Sequence, residues 1–250
     1  MPVPRPSRPA SEPRKADVVS RDLLSRIVAG ELTVGSLLPR EDELAAEYHV
    51  NRSVIREAIK LLEVHRLVRP VRRRGTEVLD PLASLSPEVL RAMLSPRPGV
   101  VDAHVLAGLL EIRANLDEQM CALAATRRTA ADLAAMDRAL ARMVDALESR
   151  SAAEYAGGND DLSLALARAA KNLLFEMLAA WNQMVVADLD HLFAQVRGPS
   201  RPHQEAAAML VERIRKKDPV GAVTLVRTFH SWSTPRLLGA ANSNPMEKLK

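Results

Sequence analysis

Apolar residues recur at i, i+3, i+4 and i+7 within residues 51–65, and no other feature of the sequence constrains the fold as strongly. This spacing puts one apolar stripe along a helix, with polar side chains on the opposite face. Asn51, directly before the run, is a good N-cap. The sequence therefore predicts an amphipathic helix over residues 51–65, whose buried stripe consists of Ile55, Ala58, Ile59 and Leu62.

Two further elements flank this helix. A shorter apolar pattern over residues 41–48 predicts a helix that ends only two residues earlier, so the two helices must turn sharply against each other. After the second helix, two short apolar segments flank the turn Arg72-Arg73-Arg74-Gly75, and this pattern predicts a two-stranded hairpin with a basic tip. With a first helix that starts near Ala16, residues 16–80 are predicted to form a winged helix-turn-helix domain.

The charge of this region indicates a nucleic-acid partner. Residues 52–74 carry eight basic side chains against two acids, a net charge of +6, whereas the whole chain is only +4. Phosphate groups attract cations, and a winged helix presents cations on one helix face and on the hairpin tip. An ordinary solvated face of a helical protein is the alternative. The candidate contacts to double-stranded DNA are Asn51, Arg52, Ser53, Arg56, Lys60, Arg72, Arg73, Arg74 and Gly75.

Residues 38–78 resemble the N-terminal DNA-binding domain of GntR-family bacterial transcription regulators. Asp42 departs from the family pattern because it stands where many members carry an arginine that touches DNA, and Arg73 takes the place of the first wing glycine. The resemblance implies DNA binding, and these departures leave the operator sequence open. The residues that carry it are Leu38, Pro39, Leu44, Ala45, Val50, Arg52, Val54, Arg56, Glu57, Ala58, Leu62, Leu67, Val68, Gly75, Thr76 and Val78.

The N-terminal segment, the cysteine content and the lengths of the apolar runs indicate which class of protein this is. Residues 1–15 contain five prolines and are predicted to be a disordered, mildly basic arm. The single Cys121 excludes a disulfide framework and fits a reducing cytoplasm. No apolar run approaches the length of a membrane span, so we expect a cytoplasmic protein with no membrane partner.

The remainder of the chain is predicted to be helical, which makes the fold mainly α. Residues 81–99 are predicted to be a linker with one short helix that Ser86 and Pro87 begin. Residues 100–240 are predicted to form an all-α bundle of six or seven helices, and residues 241–250 a frayed tail. Helices are expected over residues 102–126, 129–149, from 151 onward, 172–196, 203–217 and 219–237.

The C-terminal half resembles the effector domain, called FCD, of the FadR-like subfamily. The resemblance is carried by Glu111-Ile112-Arg113, by 122–125 and 166–172, and by Asp218 and Ala222. Many FCD domains hold a divalent metal through one aspartate and three histidines. The resemblance places Asn159, Ser163, Ala207 and Phe229 at those positions, and these side chains cannot supply the ligands. We therefore expect no metal and no cofactor, with a rearranged site at His203 and His230 as the alternative.

The resemblance also places Arg113 where the family often has an arginine that faces a ligand pocket. A guanidinium can clamp a carboxylate, but Glu111 or Asp117 could equally hold Arg113 in a structural pair. Asn172 is the second candidate effector contact. Without a metal, an apolar effector such as a fatty acyl thioester is favoured by its buried area, and an organic acid held by Arg113 is the competing hypothesis. The stripe formed by Met177, Trp181 and Met184 favours core or dimer packing over the alternative, the wall of a ligand pocket.

The sequence thus predicts a transcription regulator, most simply a repressor, that binds a palindromic operator as a homodimer and responds to a small-molecule acid or acyl thioester. One alternative is a DNA-binding protein whose bundle only dimerises and senses no ligand. An enzyme is not expected, because the nucleophile-elbow, zinc-protease, P-loop and dinucleotide-binding motifs do not occur in the sequence.

Overall fold

The computed structural model describes residues 14–97 and 99–242, except for the side chains of Asp188, Asp190 and His191. The chain divides into two compact units after Pro96. The predicted arm (residues 1–15) and tail (residues 241–250) lie outside the described residues, except for positions 14–15 and 241–242. Lys15 is the first residue of the first described helix, and Asn242 is the last residue of the last one. Among the described helices, none combines the length and apolarity that crossing a bilayer requires.

The N-terminal unit is a winged helix-turn-helix, as the sequence predicts. Its strands pair antiparallel, with Val68 opposite Val78. A 3₁₀ turn at Pro81–Ala83 follows the hairpin. In chain order the elements are α1 (Lys15–Val28), α2 (Glu41–Glu47), α3 (Arg52–Val64), β1 (Val68–Val71), β2 (Gly75–Val78) and α4 (Pro87–Leu94).

The apolar stripe of α3 organises this unit. The Asn51 side chain accepts a hydrogen bond from the backbone nitrogen of Val54 at 3.0 Å and so caps the helix. The short helix predicted within the linker, α4, packs against α1, and Val89 joins the core of the unit. The side chains with no exposed surface in this core are Leu23, Leu44, Ile55, Ala58, Leu62, Leu67 and Val78.

The C-terminal unit is a helical bundle, and the prediction of six or seven helices is confirmed for its described part. The longest helix, α5, packs mainly against α11, and α6 packs mainly against α7. The helices are α5 (Ala103–Arg127), α6 (Ala130–Glu148), α7 (Ala152–Ala169), α8 (Leu173–Val186), α9 (Asp190–Arg197), α10 (Arg201–Arg215) and α11 (Pro219–Asn242).

Two glycines lie inside α7 rather than at its end. A side chain at Gly158 would lie 3.2 Å from the carbonyl oxygen of Ala139 on α6 and would meet Met143 more closely. This contact is tighter than packed side chains normally make, so the glycine lets the α6 and α7 backbones approach each other. The helical period is kept because the packing against α6 outweighs the weak helix propensity of the Gly157-Gly158 pair.

The single long helix predicted over residues 172–196 is wrong. The chain instead forms α8, a 3₁₀ turn at Ala187–Leu189 and α9. The break lets α9 bury Leu192, Phe193 and Val196 and pack against α11. Neither glycine nor proline occurs between Asn172 and Val196, so the local signals that usually end a helix were missing.

Candidate functional site

The N-terminal unit presents an exposed basic surface. Arg52 and Arg56 lie one turn apart on α3 with 64% of each side chain exposed, and Lys60 continues the same face. Three arginines form the tip of the hairpin. We call these residues the basic surface, which consists of the nine predicted DNA contacts, all of them exposed: Asn51, Arg52, Ser53, Arg56, Lys60, Arg72, Arg73, Arg74 and Gly75.

Carboxylates of α2 hold the two arginines of α3. The Arg56 Nε atom lies 2.7 Å from Glu41 Oε2, and the Arg52 Nη2 atom lies 3.6 Å from Asp42 Oδ2. The sequence indicates for Glu41 only the role of an acid in the first turn of a helix. Neither ion pair was predicted from the sequence. The sharp turn between α2 and α3 could have indicated them, since it brings the start of α2 next to the start of α3.

The wing tip holds Arg73 in an unfavourable backbone conformation. Its φ angle is +61°, in the left-handed region that favours glycine. For a residue with a side chain this conformation costs about 1–2 kcal/mol. An arginine is therefore present here despite a local cost, which fits a role for its charge at the tip.

In the C-terminal unit, a second group of polar side chains surrounds Arg113. The Arg113 side chain is only 12% exposed, and its Nε atom lies 3.5 Å from Asp117 Oδ2. The same Asp117 oxygen accepts a hydrogen bond from His230 Nε2 at 3.0 Å. Within the described residues, the buried Nη1 atom of Arg113 has no hydrogen-bond partner.

Electrostatics couple this group to α9. Burial acts to raise the pKa of Asp117, but the hydrogen bond from His230 and the charges of Arg113 and Arg197 outweigh it, and the pKa lies below its usual value. Burial, and then the charge of Arg113, lower the pKa of Arg197 to about 9. The guanidinium carbons of Arg113 and Arg197 lie 5.9 and 5.3 Å from the ring centroid of Phe193.

Neutral polar groups complete this region. His203 Nδ1 shares a hydrogen bond with the hydroxyl of Tyr155 at 2.9 Å, and that hydroxyl donates to the carbonyl oxygen of Ser200 at 3.2 Å. Burial and the charge of Arg197 lower the pKa of His203 to about 4, so the ring is neutral at neutral pH. Burial raises the pKa of Tyr155 to about 12. We call Arg113, Asp117, Phe193, Arg197, His203 and His230 the arginine cluster.

The structure brings one of the two predicted effector contacts into this cluster. Arg113 lies there with its Nε atom close to Asp117, and its Nη1 atom has no hydrogen-bond partner among the described residues. Asn172 instead caps α8, where its side-chain oxygen accepts from the backbone nitrogen of Leu174 at 3.1 Å. Arg197 was not predicted from the sequence, because its helix was predicted as part of a longer one and no motif marks the residue.

The residues at the family's metal positions do not fit a metal. Asn159 and Ser163 lie on α7, and Ala207 on α10 packs against the apolar core. The Phe229 ring lies 5.9 Å from the His203 ring and 5.8 Å from the His230 ring. Across the described side chains, no group of three or more His, Cys, Asp or Glu is placed to hold a metal ion.

Comparisons with known proteins find one family model that matches within each of the two units. The family model for bacterial regulatory proteins of the gntR family matches residues 15–78, and the FCD domain model matches residues 108–230. A solved structure of Lar from Listeria monocytogenes has the same fold, with a TM-score of 0.59 and 20% identity, over 93% of this chain and 99% of that chain.

Two relatives extend the match to the sequence level. An uncharacterised HTH-type transcriptional regulator of Mycobacterium tuberculosis is 25% identical over 233 residues, which are 92% of this chain and 93% of that protein. The galactonate operon transcriptional repressor of Escherichia coli is 31% identical over 140 residues, 55% of this chain and 60% of the relative. These relatives and both domain matches indicate a regulator and not an enzyme. The chain is therefore a DNA-binding transcription regulator of the GntR family, with an FCD domain in its C-terminal unit.

Proposed function

We propose that the protein represses transcription by binding a palindromic operator as a homodimer, and that a small organic acid releases it from DNA. The observation that carries the DNA contacts is the exposure of Arg52 and Arg56 on one face of α3. Arginine pairs bidentately with guanine in the major groove, whereas the wing arginines suit phosphates. The repressor role is supported by the similarity to the E. coli galactonate operon repressor.

We propose a separate function for each of the two units. Residues 16–80 form the DNA-binding domain, residues 81–99 connect it, and residues 100–240 form the effector-binding and dimerisation domain. This assignment is supported by the positions of the two family matches, which lie on either side of the connecting segment.

The apolar face of α8 supports the homodimer. Met177 and Met184, from the stripe predicted to be core or dimer packing, are 59% and 50% exposed, so core packing does not account for them. A continuous apolar face on one helix marks an interaction surface. A second copy of the chain is the occupant that two operator half-sites require. The exposed apolar side chains of this face are Leu173, Leu174, Met177, Leu178 and Met184.

The arginine cluster supports an organic acid as the effector. A fatty acyl chain gains binding energy from apolar burial, whereas most groups around Arg113 are charged or form hydrogen bonds. The unpartnered Nη1 atom of Arg113 is suited to a carboxylate oxygen. The cluster thus favours a compact carboxylate over the acyl thioester, the hypothesis that the sequence alone favoured.

Operator selection from a random duplex library, followed by fluorescence polarisation at two salt concentrations, tests the DNA contacts. We expect Arg52→Ala and Arg56→Ala each to weaken operator binding by about 1–3 kcal/mol and to relax the preference at one base pair. Arg73→Ala should weaken operator and unrelated DNA alike and reduce the salt slope by about 1. Arg168→Ala, on the exposed surface of α7, is the control. If both α3 variants bind the operator as the wild type does, this assignment of the reading face is wrong.

A further inference from the structure

An acidic side chain lies beside the basic surface of the N-terminal unit. Asp42 is 56% exposed, and its Oδ2 atom lies 3.6 Å from Arg52 Nη2. A hydrogen bond from nitrogen to oxygen is normally no longer than about 3.2 Å, so this ion pair leaves the Asp42 oxygens able to accept hydrogen bonds. Among the described residues, none donates a hydrogen bond to the Asp42 carboxylate. An available acceptor therefore lies next to an arginine of the proposed reading face.

The stability of α2 does not account for this carboxylate. Glu43 makes the capping contact at the start of the helix, because its Oε2 atom accepts from the backbone nitrogen of Arg40 at 2.9 Å. The exposed ion pair between Asp42 and Arg52 adds little. Phosphates repel an acid, so Asp42 lowers the affinity of this surface for DNA in general unless it makes a specific contact.

The second acid of α2 is placed differently. Glu41 Oε2 lies 2.7 Å from Arg56 Nε, which is a hydrogen-bond distance, and Glu41 is less exposed than Asp42. This contact uses the inner nitrogen of the guanidinium and leaves its two terminal nitrogens for a guanine. Glu41 is therefore suited to orient Arg56, whereas the Asp42 carboxylate is suited to contact a base itself.

The chemistry of the base edges indicates which base fits. In the major groove only cytosine N4 and adenine N6 donate hydrogen bonds, and adenine also presents the acceptor N7 beside its donor. Guanine and thymine present acceptor oxygens, which repel a carboxylate. Base pairs are stacked about 3.4 Å apart, close to the distance between Asp42 and Arg52. The base that fits is thus a cytosine in the pair that Arg52 contacts or in the neighbouring pair.

We propose that Asp42 accepts a hydrogen bond from the N4 amino group of an operator cytosine, in the base pair whose guanine Arg52 contacts or in the next one. The proposal rests on the reading face proposed above and adds an acidic contact to its basic ones. Arg52 supplies donors to the acceptors of guanine, and Asp42 supplies an acceptor to the donor of cytosine. Asp42 is then a residue that specifies a base, in addition to directing Arg52.

A double-mutant cycle between protein and DNA tests this contact. The full-length chain first selects its operator from a random duplex library. Each cytosine of one half-site is then replaced in turn by 2-pyrimidinone, which lacks the N4 amino group, and binding is measured by fluorescence polarisation. We expect one replacement to weaken binding by the wild type about 10- to 100-fold more than binding by Asp42→Ala, the range for a hydrogen bond to a charged group. The weaker base pair affects both proteins alike and cancels in the cycle.

The control variant is Glu57→Ala, which removes an exposed acid of α3 and should respond to every replacement as the wild type does. A second base, 7-deazaguanine, lacks the N7 acceptor that an arginine contacts, so it removes a partner of Arg52 and not of Asp42. The proposal is overturned if no cytosine is coupled to Asp42, or if Asp42 is coupled only to the 7-deazaguanine position, because the aspartate would then act through Arg52 alone.

The same titrations distinguish this proposal from the one on which it rests. If Arg52→Ala loses affinity for the operator and Asp42→Ala shows no coupling to a cytosine, the reading face stands and the role of Asp42 is wrong. If Arg52→Ala binds the operator as the wild type does, the reading face itself is wrong, and the role of Asp42 with it.

Discussion

Asp42 stands where related regulators often carry an arginine that touches DNA, and in this chain it lies against an arginine of the next helix. The Asp42 carboxylate is 3.6 Å from Arg52, and Glu41 is 2.7 Å from Arg56. Exposed ion pairs of this kind contribute little to stability, on the order of 0–1 kcal/mol. Their effect on DNA binding is larger in principle, because each carboxylate restricts the direction of a guanidinium that has to meet a base edge.

We therefore predict that Asp42→Asn binds all DNA more tightly but discriminates less between operator and unrelated sequence. Removing an acid near the phosphates strengthens non-specific attraction, and releasing Arg52 loosens its alignment with the base. Competition binding with operator and scrambled duplexes measures the ratio. Glu57→Gln removes one negative charge from α3 without disturbing the Asp42–Arg52 pair, so it serves as the control. An unchanged ratio in Asp42→Asn would show that Asp42 does not orient Arg52.

At the scale of the elements, the sequence predicted most of the N-terminal unit and less of the C-terminal one. The helix-turn-helix and its wing could be predicted because their signals are local: the apolar stripe of α3, the Asn51 cap and the basic turn. The start of the helix predicted over residues 129–149 also carries a local signal, since Thr129 and Asp132 form a capping box there, with hydrogen bonds of 2.7 and 3.3 Å.

The missed features depend on contacts between distant parts of the chain. The turn between α8 and α9 has no glycine or proline to mark it and forms because α9 packs against α11. The arginine cluster joins residues from α5, α9, α10 and α11, and the bond between Asp117 and His230 spans 113 positions of sequence. Arg113 was predicted only through the family resemblance, and Arg197 was not predicted at all.

The exposed face of α8 leads to a prediction of its own. Met177→Lys should weaken dimerisation, because burying a lysine without a partner in an apolar interface is unfavourable. Light scattering over a range of protein concentrations measures the monomer–dimer equilibrium. Val220→Lys, which changes a side chain that is 75% exposed on α11, is the matched control. A Met177→Lys protein that stays as dimeric as the wild type would exclude α8 as the interface.

The whole molecule joins a DNA-binding unit to a unit that we propose binds an acid. A ligand shifts DNA affinity only by the difference between its own affinities for the DNA-bound and free forms of the protein, and the coupling is reciprocal. A tenfold loss of operator affinity requires about 1.4 kcal/mol of such difference. One charge-assisted hydrogen bond is worth about that much, so the arginine cluster can supply it.

The most direct test of this account is a titration of the protein–operator complex with small organic acids, followed by fluorescence polarisation. We predict that the saturating acid weakens operator binding by the wild type about tenfold or more, and that Arg113→Gln retains its DNA affinity but loses this response at the same acid concentration. The account would be contradicted if the acid saturated the C-terminal unit of the wild type and left its operator affinity unchanged.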